Sequence, residues 1–358
     1  MTVQSGKVQT VLGLIEPEAL GFTLTHEHLL VDVECNFVMP DEATARGVVD
    51  SPVTTGNVAD VVKHWTTMKD NTHLYDEAMA VEELMRYRLA GGDSVVDVTS
   101  IGIARDPLAL ARISRATGVQ IVMGGSYYVP LSYPADMDDR SEDSIFAEIV
   151  RDVTEGVGDT GIKTGVIGEV GNHVPMTPNE AKVLRASARA QAATGAPILI
   201  HPGFHRDSPV AIMETLVAAG ADPKHVIFGH LSLCFDPSWI GDLADFGCYL
   251  EFDTFGLEWS ELAAAQSTGT TDFTVTNDDH RIWMLEWLFE HGYGDQVVIA
   301  QDNFVKIQMT RFGGKGYAHI PENIVPRMRG RGWTQDQLDT VLIHNPARAL
   351  TFRSAMRP

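Results

Sequence analysis

At 358 residues, with 44% apolar and 21% charged side chains, the chain has the size and composition of one globular barrel domain spanning residues 1–358. Acidic residues outnumber basic ones 48 to 27, for a formal charge of −21, a field that opposes a phosphate backbone, so no nucleic-acid partner is expected. No apolar run approaches the ~18 residues of a membrane span and no basic-then-apolar leader opens the chain. Cys35, Cys234 and Cys248 are too few and too scattered for a disulfide framework, so a cytoplasmic protein with no membrane contact is expected.

Residues 7–20 read as two short strands around a turn, a hairpin capping the main fold. The run from Gly21 to Val31 (GFTLTHEHLLV) is the first strand of that fold. Side chains two apart on a strand share a face, so His26 and His28 converge and could chelate a divalent metal with little loss of side-chain freedom. From about residue 35 to 71 prolines, glycines and polar residues break any periodicity. A segment of that length reads as an insertion over the mouth of the fold.

From Tyr75 onward, helices and strands alternate. Helix 76–92 stops on Gly91-Gly92 and leads to strand 94–99. There follow helix 106–117, strand 119–125, helix 141–156, strand 165–170, helix 178–194 and strand 197–201. Helix 208–219, strand 225–230, helix 236–246, strand 248–254, helix 278–291, strand 296–302 and helix 334–351 complete the series. Near-continuous apolar strands joined by helices imply a parallel sheet buried on both faces. Eight such units predict an α/β (β/α)8 TIM barrel with a short N-terminal β-hairpin and a long insertion after the first barrel strand. A dinucleotide-binding reading fails, because no G-x-G-x-x-G follows the first strand.

Active groups in such a barrel sit at the carboxyl ends of the strands. There the sequence places His26 and His28 on the first strand, Glu169 on the fourth, His201 on the fifth, His230 on the sixth and Asp302 on the eighth. Each alone has an ordinary explanation as a cap, turn or core residue; together, at one end of one barrel, they predict a metal site. Imidazole nitrogens and carboxylate oxygens without thiolates suit two divalent ions of the zinc type, with Mn2+, Co2+ or Fe2+ also compatible. Two such ions would depress the pKa of a shared water and supply a nucleophile near neutral pH.

With these residues in place the chain resembles the phosphotriesterase family of the amidohydrolase superfamily. The resemblance runs from about Gly21 to Phe352 through GFTLTHEHLL, VVDVTSIGIARDP (95–107), TGVIGEVG (164–171), ILIHPG (198–203), VIFGHLS (226–232), VVIAQD (297–302) and HNPARAL (344–350). It implies a distorted barrel with a binuclear centre. His26, His28 and Asp302 would hold the more buried ion, and His201 and His230 the more exposed one. Asp302 would also be the catalytic proton acceptor. The family's organophosphatases bridge the ions with a carboxylated lysine; here the aligned position is Gly168, and Glu169 is the expected bridge, as in the phosphotriesterase-homology branch. Lys163 lies near, but at the strand's entry end. Their relay positions hold Leu233 and Thr254 here, which disfavours efficient phosphotriester turnover. The family is often dimeric, which implies a homodimer.

Tyr127 and Tyr128, after the third strand, are expected at the mouth. Lys306 and Arg311, with the Gly313-Gly314 hinge, are expected to form a cationic lid over an anionic small-molecule substrate. The first functional expectation is metal-dependent hydrolysis of an ester-type bond, a lactone or carboxylic ester, with weak phosphotriesterase activity as a by-product. The alternatives are amide hydrolysis of a small N-acyl compound, or a non-catalytic ligand-binding relative.

Overall fold

The computed structural model describes residues 4–63, 65–233, 236–259 and 275–355; His64 and Cys234 lie outside them. Strands β1 (Val8–Thr10) and β2 (Gly13–Ile15) form the expected antiparallel hairpin. The first barrel strand is β3 (Thr23–Glu27), shorter than the sequence suggests, because the chain then turns into β4 (Val31–Asp32), which pairs with β5 (His73–Leu74). The remaining barrel strands are β6 (Ser94–Asp97), β7 (Gln120–Met123), β8 (Ile167–Gly171), β9 (Ile198–His201), β10 (Val226–Phe228), β11 (Tyr249–Phe252) and β12 (Val297–Ile299).

Among the described residues these strands form one parallel run, β3-β6-β7, and another, β8-β9-β10-β11-β12. The two seams close through scattered bonds rather than full ladders, which is how the barrel is distorted. The Asp302 N–H donates to the His26 carbonyl (3.1 Å) across one seam, and the Gly165 N–H to the Met123 carbonyl (2.8 Å) across the other.

Alternation along the strands divides the core. Val96, Val122, Val166, Leu199, Ile227, Tyr249 and Val298 fill the barrel interior, with Val8 of the hairpin and Leu20 packing into the same cluster. Their strand neighbours Val95, Ile121, Ile198, Ile200, Val226, Phe228, Leu250 and Val297 face outward to the helices. The helices begin where capping chemistry permits. The Asp76 carboxylate accepts from the Ala78 and Met79 N–H groups before Glu77–Leu89, and Thr177 with Glu180 forms a capping box before Pro178–Thr194.

The stretch between β4 and β5 is a packed excursion stapled at its base by their pairing. It carries helices Ala43–Arg46 and Val58–Lys63, and Val53, Val61, Trp65 and Met68 bury themselves in the main core. Two features depart from the sequence reading. The expected helix 236–246 shrinks to a 3-10 turn (Pro237–Trp239) and Ile240–Ala244. A helical segment from Ile320 to Gly330, which the sequence reading leaves unassigned, precedes the closing helices. Its Pro321 and Pro326 interrupt the backbone ladder and disguise the helical pattern. Among the described residues no helix is long and apolar enough to cross a membrane.

Candidate metal centre

Each barrel strand end delivers its side chain by local geometry. On β3 the register shifts between Leu24 and Glu27, and a bulge of that kind re-aims side chains. His26 and His28 both reach the axis, while Glu27 between them turns to the β12 seam. There the Glu27 carboxylate, fully buried, accepts from the Gln301 N–H (2.8 Å), the Asn303 N–H (3.0 Å) and the Asn303 side chain (2.9 Å). These bonds grip the residues on both sides of Asp302, whose backbone is left-handed at φ 51°; His230 is likewise left-handed at φ 60°. Non-glycine residues so held cost on the order of 1–3 kcal/mol each and persist only where their surroundings impose them.

The six sequence-predicted ligand residues lie together, all buried. The Glu169 carboxylate stands between the histidines. One oxygen, Oε1, is 3.3 Å from His28 Nε2. The other, Oε2, is 3.2 Å from His201 Nδ1, 3.6 Å from His26 Nε2 and 3.7 Å from His230 Nε2. Asp302 Oδ1 lies 3.6 Å from His28 Nε2 and 3.8 Å from His26 Nε2. Three triads, His26/His28/Glu169, His26/His230/Asp302 and Glu169/His201/His230, each present ligand atoms within 4.8 Å of one another.

Position 168 could not carry the bridge. Gly168 has φ 144°, and a Cβ there would meet the Leu199 carbonyl oxygen, so the next residue supplies the carboxylate. Lys163 is half-buried ahead of β8.

The sequence reading missed two residues. Tyr249, Glu251 and Asp253 alternate with the outward-facing Leu250 and Phe252, so both acids point inward. Glu251 Oε2 is 2.9 Å from His26 Nδ1. Asp253 Oδ2 accepts from the His230 N–H (2.7 Å) and lies 3.1 Å from His230 Nδ1 and 3.3 Å from His26 Nδ1. The available signal was two carboxylates at i and i+2 in an otherwise apolar buried strand. Glu251 fixes the His26 ring from behind, as carboxylates behind metal-ligating histidines do, and Asp253 holds His230 by its backbone. Thr99 Oγ1, 2.8 Å from His28 Nδ1, steadies the His28 ring.

The electrostatics call for added positive charge. Burial opposes a charge on His26, but Glu251 and Asp253 outweigh it and raise its pKa to about 10. Glu169 is buried too, yet contact with His201, His230 and His28 holds its carboxyl well below the usual range. Burial, and then His230, pushes His201 down to about 4.

A divalent cation fits this setting on one direct observation. His26 Nε2 is buried without a hydrogen-bond partner, facing oxygens 3.6 and 3.8 Å away. That is too far for a hydrogen bond, yet it is the spacing of atoms that share one ion at ~2.0–2.2 Å each.

Above the cluster lies a tight cavity of about 30 Å3, bounded by His28, Val33, Leu233, Thr254, Leu257 and Phe304 among others. It adjoins a wider chamber of about 280 Å3, and Asn36, Tyr128, His201 and Phe204 border both. Tyr128 sits edge-on to His201, with ring centres 5.0 Å apart.

The other expected substrate contacts are elsewhere. The Tyr127 hydroxyl donates to Glu148 and accepts from Arg140 (2.6 Å), away from both cavities. Lys306 pairs with Asp70 of the insertion (2.5 Å), and Arg311 with Glu82 (3.0 Å) and Asp76 (3.6 Å). Neither cation borders either of these two cavities. Lys306 is thus held by the insertion, and Arg311 by helix Glu77–Leu89 and its Asp76 cap.

Comparison with known proteins matches the chain to the phosphotriesterase family over residues 6–350. The N-acetyltaurine hydrolase of Tetraodon nigroviridis is 40% identical, over 99% of this chain and 100% of that protein. Among solved structures, a resiniferatoxin-binding protein from Rhodobacter sphaeroides superposes with a TM-score of 0.91 at 35% identity, covering 97% of this chain and 96% of that one. A mutant phosphotriesterase-like lactonase from Deinococcus radiodurans gives 0.73 at 26% identity, covering 96% and 99%.

Proposed function

We propose that this chain, which belongs to the phosphotriesterase family, is a metal-dependent hydrolase that cleaves the amide bond of a small N-acyl compound. The observation that carries the hydrolase reading is the cluster itself: Glu169 between four histidines, with Asp302 opposite and an unpartnered His26 Nε2. Amide rather than ester cleavage is favoured by the 40% identity, along the whole chain, to an N-acetyltaurine hydrolase. This reverses the order expected from sequence, where the ester came first. The ester or lactone reading stands second, supported by the lactonase neighbour.

His26, His28, His201, His230, Glu169 and Asp302 would hold two divalent ions, zinc by the donor set; when bound, these supply Lewis-acid polarisation of the scissile carbonyl and an acidified water. The chain's own residues do the rest. Asp302, clamped through Glu27, offers a carboxylate oxygen to take the proton of the attacking water and return it to the leaving nitrogen. Glu251 holds the ring of His26, and Asp253 the backbone of His230, in place. Val33, Leu233, Leu257 and Phe304 wall the acyl group off from bulk water.

The test is a parallel screen of N-acyl amides, lactones and aryl esters, with and without chelator, on the wild type and on Asp302→Asn. Chelator-sensitive turnover that is fastest on amides and abolished in the variant supports the proposal. Preference for lactones moves it to the second reading, and turnover that survives both chelation and the substitution rejects it.

A further inference from the structure

We infer that the wide chamber is a specificity site for a neutral, apolar arm, so that the preferred substrate is a short-chain acyl amide of an uncharged alkyl or aryl amine rather than of an anionic one. This rests on the proposed amide hydrolysis, and it departs from the sulfonate-bearing compound for which the relatives are named.

Three observations carry it. The chamber's wall is Phe37, Val38 and Trp65 of the insertion, with Val129, Leu131 and Val174 facing them. Among the described residues that border either cavity there is no lysine or arginine. Residues 234–235 and 260–274, which lie outside the described residues, contain none either. Lys69 is spent on the Phe37 ring, 5.5 Å from its centre, and on Asp50. Arg206, in the loop after β9, borders a separate surface groove beside Asp207. A sulfonate or carboxylate in the chamber would therefore lose its hydration without a lysine or arginine to pair it, in a protein whose formal charge is −21.

Size assigns the arms. The inner cavity beside the cluster is the tighter of the two and takes the smaller, acyl arm. The chamber of about 280 Å3 is the roomier one and takes the larger, amine arm. Asn36, Asn172, Thr66 and Tyr128 on its wall offer hydrogen bonds to an amide, while His173, which also lines it, is already paired with Glu180 (2.8 Å).

The experiment compares N-acetyl derivatives of methylamine, butylamine and hexylamine with N-acetyltaurine, reading kcat and KM with the metal-loaded protein and binding heat by calorimetry. Each methylene buried should add up to roughly a fourfold gain in affinity, so hexylamide should exceed both methylamide and N-acetyltaurine by at least about tenfold in kcat/KM. Leu131→Asp and Val38→Asp, at the exposed rim, should raise KM for hexylamide by about tenfold. If no compound turns over but hexylamide still binds tightest, and binds less well to the two variants, the chamber assignment stands and amide hydrolysis falls. If N-acetyltaurine is turned over or bound better than hexylamide, or the variants leave the alkyl series unchanged, the inference is overturned.

Discussion

Glu27 shows how much of this centre depends on residues that touch no substrate. Its carboxylate, buried and pushed up to about 8 by that burial despite the donors around it, grips the N–H groups of Gln301 and Asn303 and so sets the left-handed turn at Asp302. Glu27→Gln replaces one acceptor with an NH2 that opposes a donor. It should lower kcat by one to two orders of magnitude with KM nearly unchanged, as steady-state kinetics on a chamber-filling amide would reveal; an unaltered kcat would mean that the clamp has no part in catalysis. Gly168 marks the converse case, a residue needed for what it lacks. Gly168→Ala forces a Cβ onto the Leu199 carbonyl at φ 144°, and chemical denaturation should register a loss of about 2–4 kcal/mol. The six residues of the cluster were legible from sequence because chemistry marks them: histidines and carboxylates ending apolar strands form an unusual pattern. Glu251 and Asp253 carry the same chemistry, but without the pull of a motif they look like ordinary strand polar residues. Only their inward register beside His26 and His230 discloses them.

At the scale of elements, the insertion between β4 and β5 changes character once folded. Its composition reads as loop, because Pro40, Pro52 and scattered polar residues hide the short helices. The structure shows it supplying Phe37, Val38 and Trp65 to the chamber wall. One of its anchors, Lys306, is a residue the sequence reading assigned to a substrate lid. Lys306 reaches Asp70, and the Ile307 N–H donates to the Asn71 side chain (3.1 Å). Lys306→Ala should therefore leave the ratio of KM values for anionic and neutral substrates unchanged. Instead it should lower stability by up to about 1 kcal/mol and speed proteolysis within residues 35–71; a selective rise in KM for anionic substrates would restore the lid. A second tie joins helix Asp278–Glu290 to the segment after β12. Burial of Asp278 works against its charge, but the His319 bond (2.8 Å) and Arg281 (2.8 Å) prevail and depress its carboxyl. A depressed carboxyl contributes stability that is complete above its unfolded pKa, ~3.9, and is lost as pH falls below that value toward the folded one. The wild type should accordingly lose stability steeply below about pH 4. Asp278→Asn should be less stable at pH 7 and show a flatter acid limb in thermal melts; an equally steep limb would place the acid sensitivity elsewhere.

For the whole molecule, the barrel was the most legible feature, since eight apolar strands alternating with helices admit few topologies. What the sequence concealed were departures from regularity: the early end of β3, the seams closed by scattered bonds rather than full ladders, and the π-containing helical segment Ile320–Gly330 interrupted by prolines. Periodicity reports regular structure and is blind where the pattern breaks. Function followed the same division, with the reaction centre written in residue types and the choice of bond left to cavities that fold from distant segments. The central claim is that the cluster acts only as a loaded metal centre on an amide. It is tested most directly by titrating zinc into chelator-stripped protein while following hydrolysis of a short-chain N-acyl alkylamide. The expected result is no turnover at zero metal and activity rising to a plateau at two equivalents per chain. Full amide hydrolysis by the stripped protein, or saturation with zinc and no hydrolysis of any amide, would contradict it.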